Sequence, residues 1–411
     1  MTRTCLTVLV AAVCLVAPSA PAAAQQPTQR QVDSLAAQLR ALRARLDSIL
    51  TGLGRRPPAG DDLAALRAAA AAAVGRDTLQ AADTASGRRF VGRERSQTQL
   101  NPEISVTGQL HGFVREGTQA ENFELHEVEF SFQAALDPYS HTKIFAAVHE
   151  GEIEIEEGYF YYTGFPGRAR LDLGVFRQQL GELNRWHLHA VPEAEYPLAL
   201  TTYAGEDGLG GTGVSLYRAF AGFGTHEVWA QVTAGTNEAL FEGGARPAYL
   251  IHLNNFWQLS RSTFMQIGAT GVYGTNPDTA LKTTLGAIDF RLTWRPPARA
   301  LYRDWTLRGE LYRLKKERGG VGDVRLGGYV GTTYKLGQRW IAGVRYDYVE
   351  TPEGPIEIIR QVVPSLTWWQ SEWVFLRAAF TRRLTPAAGA GRDQLVLQAV
   401  WAMGPHKHEI Y

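Results

Sequence analysis

The segment AIDFRLTWR, residues 287–295, alternates apolar and polar side chains from Ile288 to Arg295. Successive side chains of a β-strand point to opposite faces, so strict alternation predicts a strand with one apolar and one polar face. Segment 340–349, WIAGVRYDYV, repeats the pattern. The apolar faces carry Ile288, Phe290, Leu292, Trp294, Trp340, Ala342, Val344, Tyr346 and Tyr348, and the polar faces carry Asp289, Arg291, Thr293, Arg295, Arg345 and Asp347.

The same alternation continues from residue 102 to residue 404, broken at short intervals by turn residues. Division of about 300 residues by sixteen segments gives about 19 per strand with its turn, which suits a membrane strand of about 10 residues with alternating short and long connections. The fold class predicted is all-β, a transmembrane antiparallel β-barrel with both ends on the periplasmic side. The sixteen predicted strands are 104–115, 123–136, 143–148, 153–163, 168–177, 213–221, 227–235, 249–259, 263–274, 283–295, 305–315, 324–336, 340–349, 358–369, 373–384 and 393–403.

Soluble β-sandwiches also alternate, so alternation alone does not decide the class. The uninterrupted length of the strand region favours a barrel, and a propeller would need a repeated blade motif that the sequence lacks. Tryptophans lie near predicted strand ends, where membrane barrels place aromatic girdles. They are Trp294, Trp305, Trp340, Trp369, Trp373 and Trp401.

The first 24 residues have the features of a secretory signal peptide. Arg3 precedes an apolar run over residues 6–16, and alanines at 22–24 offer a cleavage site. An uncleaved anchor is the weaker alternative, because such a run is too short to span about 30 Å of hydrocarbon as a helix. Cys5 and Cys14 both lie in this segment. A mature chain without thiols excludes disulfides, thiolate metal sites and cysteine nucleophiles.

Residues 25–56 carry apolar side chains at alternating steps of three and four. This heptad spacing predicts a periplasmic coiled-coil helix, with a trimeric stalk as its form, and a lone amphipathic helix on the membrane or barrel as the alternative. Residues 57–101 are predicted to hold an Ala-rich helix and a linker before the barrel at 102–411. The heptad positions are Val32, Leu35, Leu39, Leu42, Leu46, Ile49 and Leu53.

Three short motifs occur in the first predicted strands: Phe-Glu-Leu at 123–125, GYFYY at 158–162 and LGVFRQ at 173–178. In these motifs and their order the chain resembles the phosphate-selective porin O and P family. The resemblance implies a sixteen-stranded, usually trimeric porin whose constriction loop folds into the pore. It covers residue 102 to the C-terminus.

The second predicted strand departs from that resemblance, because glutamates stand where such porins tend to carry arginines, and the hairpin that follows adds three more glutamates. A wall that binds phosphate needs cations and backbone donors in a region of low dielectric constant. Five carboxylates on one interior sector would repel it. The predicted acidic pore-lining residues are Glu127, Glu129, Glu152, Glu154 and Glu156.

Basic residues occupy the remaining predicted interior. Acid facing base across a pore creates a transverse field, which orients dipolar solutes and disfavours apolar ones. We therefore expect a weakly selective channel for small polar or charged solutes, among them anions such as phosphate. The predicted basic pore-lining residues are Arg168, Arg170, Arg291, Arg295, Arg308, Arg325, Arg345 and Arg377.

The longest predicted connection, residues 178–212, is rich in charged side chains and histidines. Compact domains seldom keep so long a loop without a use. We predict a constriction loop bent into the lumen, with an extracellular flap as the alternative. Its candidate residues are Glu182, Arg185, Glu193, Glu195, Glu206 and Asp207.

Other functions have weaker support in the sequence. Histidines two residues apart, at 187 and 189 and at 406 and 408, could chelate a metal, but loops and termini often hold spare histidines, so we expect no metal or cofactor. No serine lies in a Gly-x-Ser-x-Gly motif, and an outer-membrane barrel enzyme is the less favoured alternative. A structural anchor tethered by the coiled coil is the other.

The balance of 42 basic and 41 acidic residues gives no sign of a nucleic-acid partner. The expected partners are outer-membrane lipid, two further copies of the chain in a homotrimer, and small polar solutes.

Overall fold

A computed structural model describes residues 102–115, 122–149, 152–244, 246–278, 281–318, 321–385 and 393–404. The predicted signal peptide, heptad helix, Ala-rich helix and linker lie outside these residues, as do the histidines at 406 and 408. None of the helices within the described ranges is long and apolar enough to cross a membrane.

Sixteen antiparallel strands form a closed barrel in which each strand pairs with its sequence neighbours and β1 pairs with β16. The predicted barrel and its strand number are thereby confirmed. The strands are β1 (Glu103–Arg115), β2 (Phe123–Ala135), β3 (Ser140–His149), β4 (Glu152–Tyr162), β5 (Ala169–Arg177), β6 (Gly210–Gly222), β7 (Gly224–Ala234), β8 (Pro247–Gln258), β9 (Thr263–Thr275), β10 (Lys282–Trp294), β11 (Trp305–Arg318), β12 (Val321–Lys335), β13 (Trp340–Glu350), β14 (Ile358–Trp369), β15 (Val374–Arg383) and β16 (Asp393–Met403). The short α-helices within the described ranges are α1 (Leu198–Ala204) and α2 (Glu238–Phe241).

Alternation along each strand sorts side chains between the interior and the outer surface. On β10, Asp289 is 0% exposed and its neighbour Ile288 is 57% exposed. Because the sheet closes on itself, the buried parity faces inward and the exposed parity faces out. The outward face is an apolar belt that includes Leu216, Ile251, Leu253, Ile267, Leu311, Val330, Val344, Leu366, Leu376 and Leu397.

The two ends of the barrel differ in their connections. One end carries short turns such as 136–139, 336–339 and 370–373, and the other carries the 178–209 connection between β5 and β6. All six tryptophans predicted to form girdles lie at the short-turn end, either within two residues of a strand terminus or just outside one. Tryptophan side chains are enriched where a membrane meets water, so their grouping at this end supports a membrane boundary there.

Two bulges interrupt the pairing at the other end of β2 and β4. Gln109 pairs with Glu127 while Leu110 pairs with Leu125, so one extra residue is inserted in β2. On the next pair of strands, Phe145 pairs with Glu157 while Ala146 pairs with Ile155, so Glu156 is extra. A bulge changes the direction of the side chains around it, and the bulge in β4 places both Glu156 and Glu157 near the interior.

The main apolar core lies inside the barrel rather than between layers. Apolar side chains of the 178–209 connection, including Leu180, Leu183 and Tyr203, pack against inward residues of β8 to β13 such as Leu250 and Leu285. Burial of these side chains draws the connection onto that side of the wall.

Candidate functional site

The 178–209 connection, called the inner loop below, is pinned where it leaves the wall. The Asn184 side chain donates to the carbonyls of Gln178 and Leu209, both at 2.8 Å, and accepts from the Leu209 amide at 2.7 Å. Arg177, the last residue of β5, donates to the Asp207 carbonyl at 2.8 Å. The two ends of the loop are thus held together, and the middle extends across the interior.

The first part of the inner loop is bonded to β7, β9 and β11. The amide of Gln179 donates to the Gln231 side chain at 2.9 Å, and that of Gly181 donates to Thr270 at 3.2 Å. One carboxylate oxygen of Glu310 accepts the next two loop amides, at 3.1 and 2.9 Å. Because side chains of the wall accept hydrogen bonds from these backbone amides, the first part of the inner loop is held in a defined position next to the wall.

The last part of the inner loop is bonded to a second arc of the wall, β13 to β16. Arg345 donates to the carbonyls of Glu195 and Tyr196 at 2.8 and 3.2 Å. Arg377 donates to the Glu193 carbonyl at 2.6 Å, and Gln394 of β16 donates to the Glu195 carboxylate at 2.9 Å. Ala194 packs there against the wall in a small apolar cluster.

The middle of the inner loop meets the acidic sector of β2 and β4 through His187. One ring nitrogen lies 2.6 Å from Glu129 and 2.9 Å from Glu156, and the other lies 2.8 Å from Glu157. Burial of the ring opposes its protonation, but the Glu129 and Glu156 carboxylates outweigh that effect and raise the pKa of His187 well above its ordinary value. The imidazole is therefore a cation that neutralises part of this sector.

The five predicted acidic residues all lie on the inner face of β2 and β4. Glu127 and Glu129 are buried, at 4% and 0% exposure, and Glu156 pairs with Arg177 at 3.2 Å. Glu152 and Glu154 are exposed near the long-connection end. Sequence reasoning missed Glu157, because strict alternation assigns it outward and only the bulge brings it in.

Six of the eight predicted basic residues lie inside the barrel with acidic or carbonyl partners: Arg308, Arg325, Arg345 and Arg377 are buried, and Arg170 and Arg291 are partly buried. Arg291 binds Glu182 at 2.6 Å, and Arg308 lies 3.9 Å from the same carboxylate. Arg325 donates to the carbonyls of Thr351 and Gly354, both at 2.9 Å, and not to the inner loop. Arg170 binds Asp172 at 2.5 Å on β5.

Two basic residues lie off the strands to which the sequence assigned them. Arg168 is a correction: it is exposed in the turn Pro166–Arg168, where its φ of 58° and that of Gly167 end the extended backbone, so it does not line the barrel wall. Arg295 follows β10 and forms an ion pair with Asp304 of the next connection, at the rim of the barrel.

The predicted residues of the inner loop divide between wall contacts and solvent. Glu182 and Glu193 are buried, and Glu195 and Arg185 are partly buried. The Glu193 carboxylate lies 3.6 Å from Arg345. Glu206 and Asp207 are exposed, next to the loop base.

Two polar cavities of opposite sign lie at the two ends of the barrel. A cavity of about 750 Å³ near the long-connection end is lined by acidic and histidine side chains, among them Glu124, His126 and Glu152. A cavity of about 600 Å³ near the short-turn end is lined by Arg291, Arg308 and Trp186, among others. The inner loop supplies Trp186 to the second cavity.

Comparison with known proteins supports the fold. No protein-family model matches the chain. An uncharacterised protein of Aquifex aeolicus is 30% identical over 120 residues, so the match covers 28% of this chain and spans only 26% of that relative.

The barrel resembles solved structures at low sequence identity. OmpT of Vibrio cholerae with loop L8 deleted, an outer membrane protein, has a TM-score of 0.52 at 10% identity, covering 74% of this chain and 100% of that one. An anion-selective porin from Comamonas acidovorans gives 0.51 at 11% identity, covering 74% and 98%. Pseudomonas putida OprB gives 0.53 at 9% identity, covering 75% and 95%. At such identities the likeness concerns the fold alone.

Proposed function

We propose that this protein is an outer-membrane porin through which small polar or charged solutes diffuse, with the inner loop, residues 178–209, as its constriction loop. The observation that carries the proposal is the bonding of the inner loop to the interior on several sides of a closed barrel whose outer surface is apolar. A loop held in this way narrows a water-filled passage without needing a plug domain.

The charges around the loop favour a passage with a transverse field. Glu127, Glu129, Glu156 and Glu157 lie on one arc, and Arg345 and Arg377 lie on another. Opposed charges orient dipolar solutes and disfavour apolar ones. Anions such as phosphate belong to the proposed range of solutes, since the cavity near the short turns is lined by arginines.

Liposome swelling tests the passage directly. Vesicles that hold the purified protein should swell in isotonic sugar solutions, more slowly as the sugar becomes larger, and vesicles without it should not. Reversal potentials in planar bilayers under a salt gradient then give the sign of the ion preference. Absence of both swelling and single-channel steps would refute the proposal and favour the structural anchor.

The proposal also includes a family for the chain and a trimeric assembly. The resemblance in motif order at 123–125, 158–162 and 173–178 supports membership of the phosphate-selective porin O and P family, and the heptads at 25–56 support a homotrimer with a periplasmic stalk. Chemical cross-linking before and after removal of residues 25–56 tests the stalk. A trimer that survives removal would show that the barrels associate by themselves.

A further inference from the structure

Two glutamates of β2 and one histidine of the inner loop converge in the acidic sector. One carboxylate oxygen each of Glu127 and Glu129 and one ring nitrogen of His189 lie within 4.8 Å of one another. All three residues are buried, with exposed fractions of 4%, 0% and 7%. Two carboxylates and an imidazole are a ligand set that divalent transition ions accept.

Glu127 gives an independent indication of a ligand at this point. Its Oε1 is buried and has no hydrogen-bond partner within the described part of the chain. An unsatisfied buried acceptor costs about 1–3 kcal/mol, and more if it is charged. Glu156, by contrast, has Arg177 and His187 as partners. Among the described residues, Glu127 Oε1 is therefore a buried acceptor with a place open for a metal ion.

A second group of Glu129, Glu156 and His187 has the same spacing and shares Glu129 with the first. Its histidine, however, already has carboxylate partners. Both ring nitrogens of His187 face carboxylates at hydrogen-bond distance. A ring nitrogen already in contact with a carboxylate is not open to a metal ion. The geometry therefore favours the group that contains His189.

We infer that Glu127, Glu129 and His189 bind one divalent transition-metal ion, for which Zn²⁺ is the probe. Three protein ligands leave a fourth position for water, as in open zinc sites. Because His189 belongs to the inner loop and both glutamates belong to the wall, the ion would link the two. An effect of the ion on conduction rests on the proposed porin function, whereas binding does not.

Calorimetry on the folded protein in detergent tests binding. The protein is purified without a histidine tag, stripped with chelator and titrated with Zn²⁺. We expect one ion per chain, and at least about tenfold weaker binding for Glu127→Gln, because the amide keeps the shape and loses the charge. Glu227→Gln is the matched control: this glutamate is also buried, it has one carboxylate oxygen without a hydrogen-bond partner among the described residues, and it belongs to neither group, so the variant should bind Zn²⁺ as tightly as the unmodified protein.

Heat-modifiable migration on gels shows that each variant is folded before it is titrated. No zinc binding by the folded unmodified protein would overturn the inference, as would equal affinity in the Glu127→Gln variant. His189→Gln provides a second variant that should also bind at least about tenfold more weakly if its ring is a ligand.

Bilayer recordings separate this inference from the proposed function. Zn²⁺ should lower single-channel conductance in the unmodified protein and leave the Glu127→Gln channel unchanged. A protein that binds one ion but forms no channel would support the metal site and refute the porin. Stoichiometric binding with no change in conductance would support the site and overturn the effect of the ion on conduction.

Discussion

Release of the inner loop from β13 is the sharpest test of the arrangement, and Arg345 is the residue to change. Its side chain is 1% exposed and donates two hydrogen bonds to loop carbonyls, those of Glu195 and Tyr196. Hydrogen bonds to a charged group contribute about 1.5–3 kcal/mol each, so the pair contributes about 3–6 kcal/mol. At about 1.4 kcal/mol per factor of ten, detached conformations of the loop should become roughly 10²–10⁴ times more populated.

The single variant Arg345→Met would also leave a buried charge. Asp347 is 0% exposed and has Arg345 and Gln361 as partners. Loss of one partner of a buried pair costs about 3–5 kcal/mol through the charge that remains. The double variant Arg345→Met with Asp347→Leu leaves no unpaired charge of that pair in the wall, while the loop loses both donors and the ion pair between Glu193 and Arg345, which also favours its release.

A cysteine at position 194 reports the loop position. Ala194 is 1% exposed, and the chain's two cysteines both lie in the predicted signal peptide, so Ala194→Cys leaves a single thiol in the mature protein. A charged methanethiosulfonate should modify this thiol at least about 100-fold faster in the double variant, because reaction requires the opened loop. Single-channel conductance should increase in parallel.

Arg325→Met provides the control, because Arg325 is also buried and binds two carbonyls, yet those belong to the β13–β14 connection. It should leave the modification rate at position 194 unchanged. The reasoning would be refuted by equal modification rates in the double variant and its parent. Equal acceleration in the Arg325→Met control would point to a general loosening of the barrel instead.

Three further changes test other parts of the structure. Ile288→Lys places a charge on the outward apolar belt and should destabilise the folded barrel by about 2–4 kcal/mol in denaturant titrations with lipid vesicles, whereas no change would show that this face is not in lipid. Deletion of residues 193–207 should raise single-channel conductance in planar bilayers, and unchanged conductance would count against a loop folded into the pore. Asn184→Ala removes the hydrogen bonds to Gln178 and Leu209, with an expected cost of about 1–3 kcal/mol and a lower transition temperature in heat-modifiable migration; an unshifted transition would show that this amide does not hold the loop base.

The strands could be predicted because side chains of a membrane strand alternate between lipid and the barrel interior, and this alternation is visible in the local sequence. At Ile288 and Asp289, for example, successive side chains enter environments of opposite polarity, and this local difference needs no knowledge of distant residues. The turns at 336–339 and 370–373 likewise follow from local chemistry. Sequence therefore sufficed for the number and order of the strands.

The site was less accessible to such reasoning, for two physical reasons. A bulge shifts the parity of a strand by one residue, so Glu157 enters the interior although alternation assigns it outward. The inner loop finds its partners far along the chain, and nothing near His187 or His189 in sequence marks the glutamates that they meet. Only the folded structure shows which glutamates lie next to these histidines.

The separation in sequence between the inner loop and its last partners bears on assembly. Gln394 donates to Glu195 across 199 residues, and Arg377 donates to Glu193 across 184. Contacts between such distant residues carry a large closure entropy and form late. Because these partners lie on the final two strands, the last part of the inner loop would gain these anchors only when β15 and β16 complete the cylinder, after its first part is already seated against earlier strands.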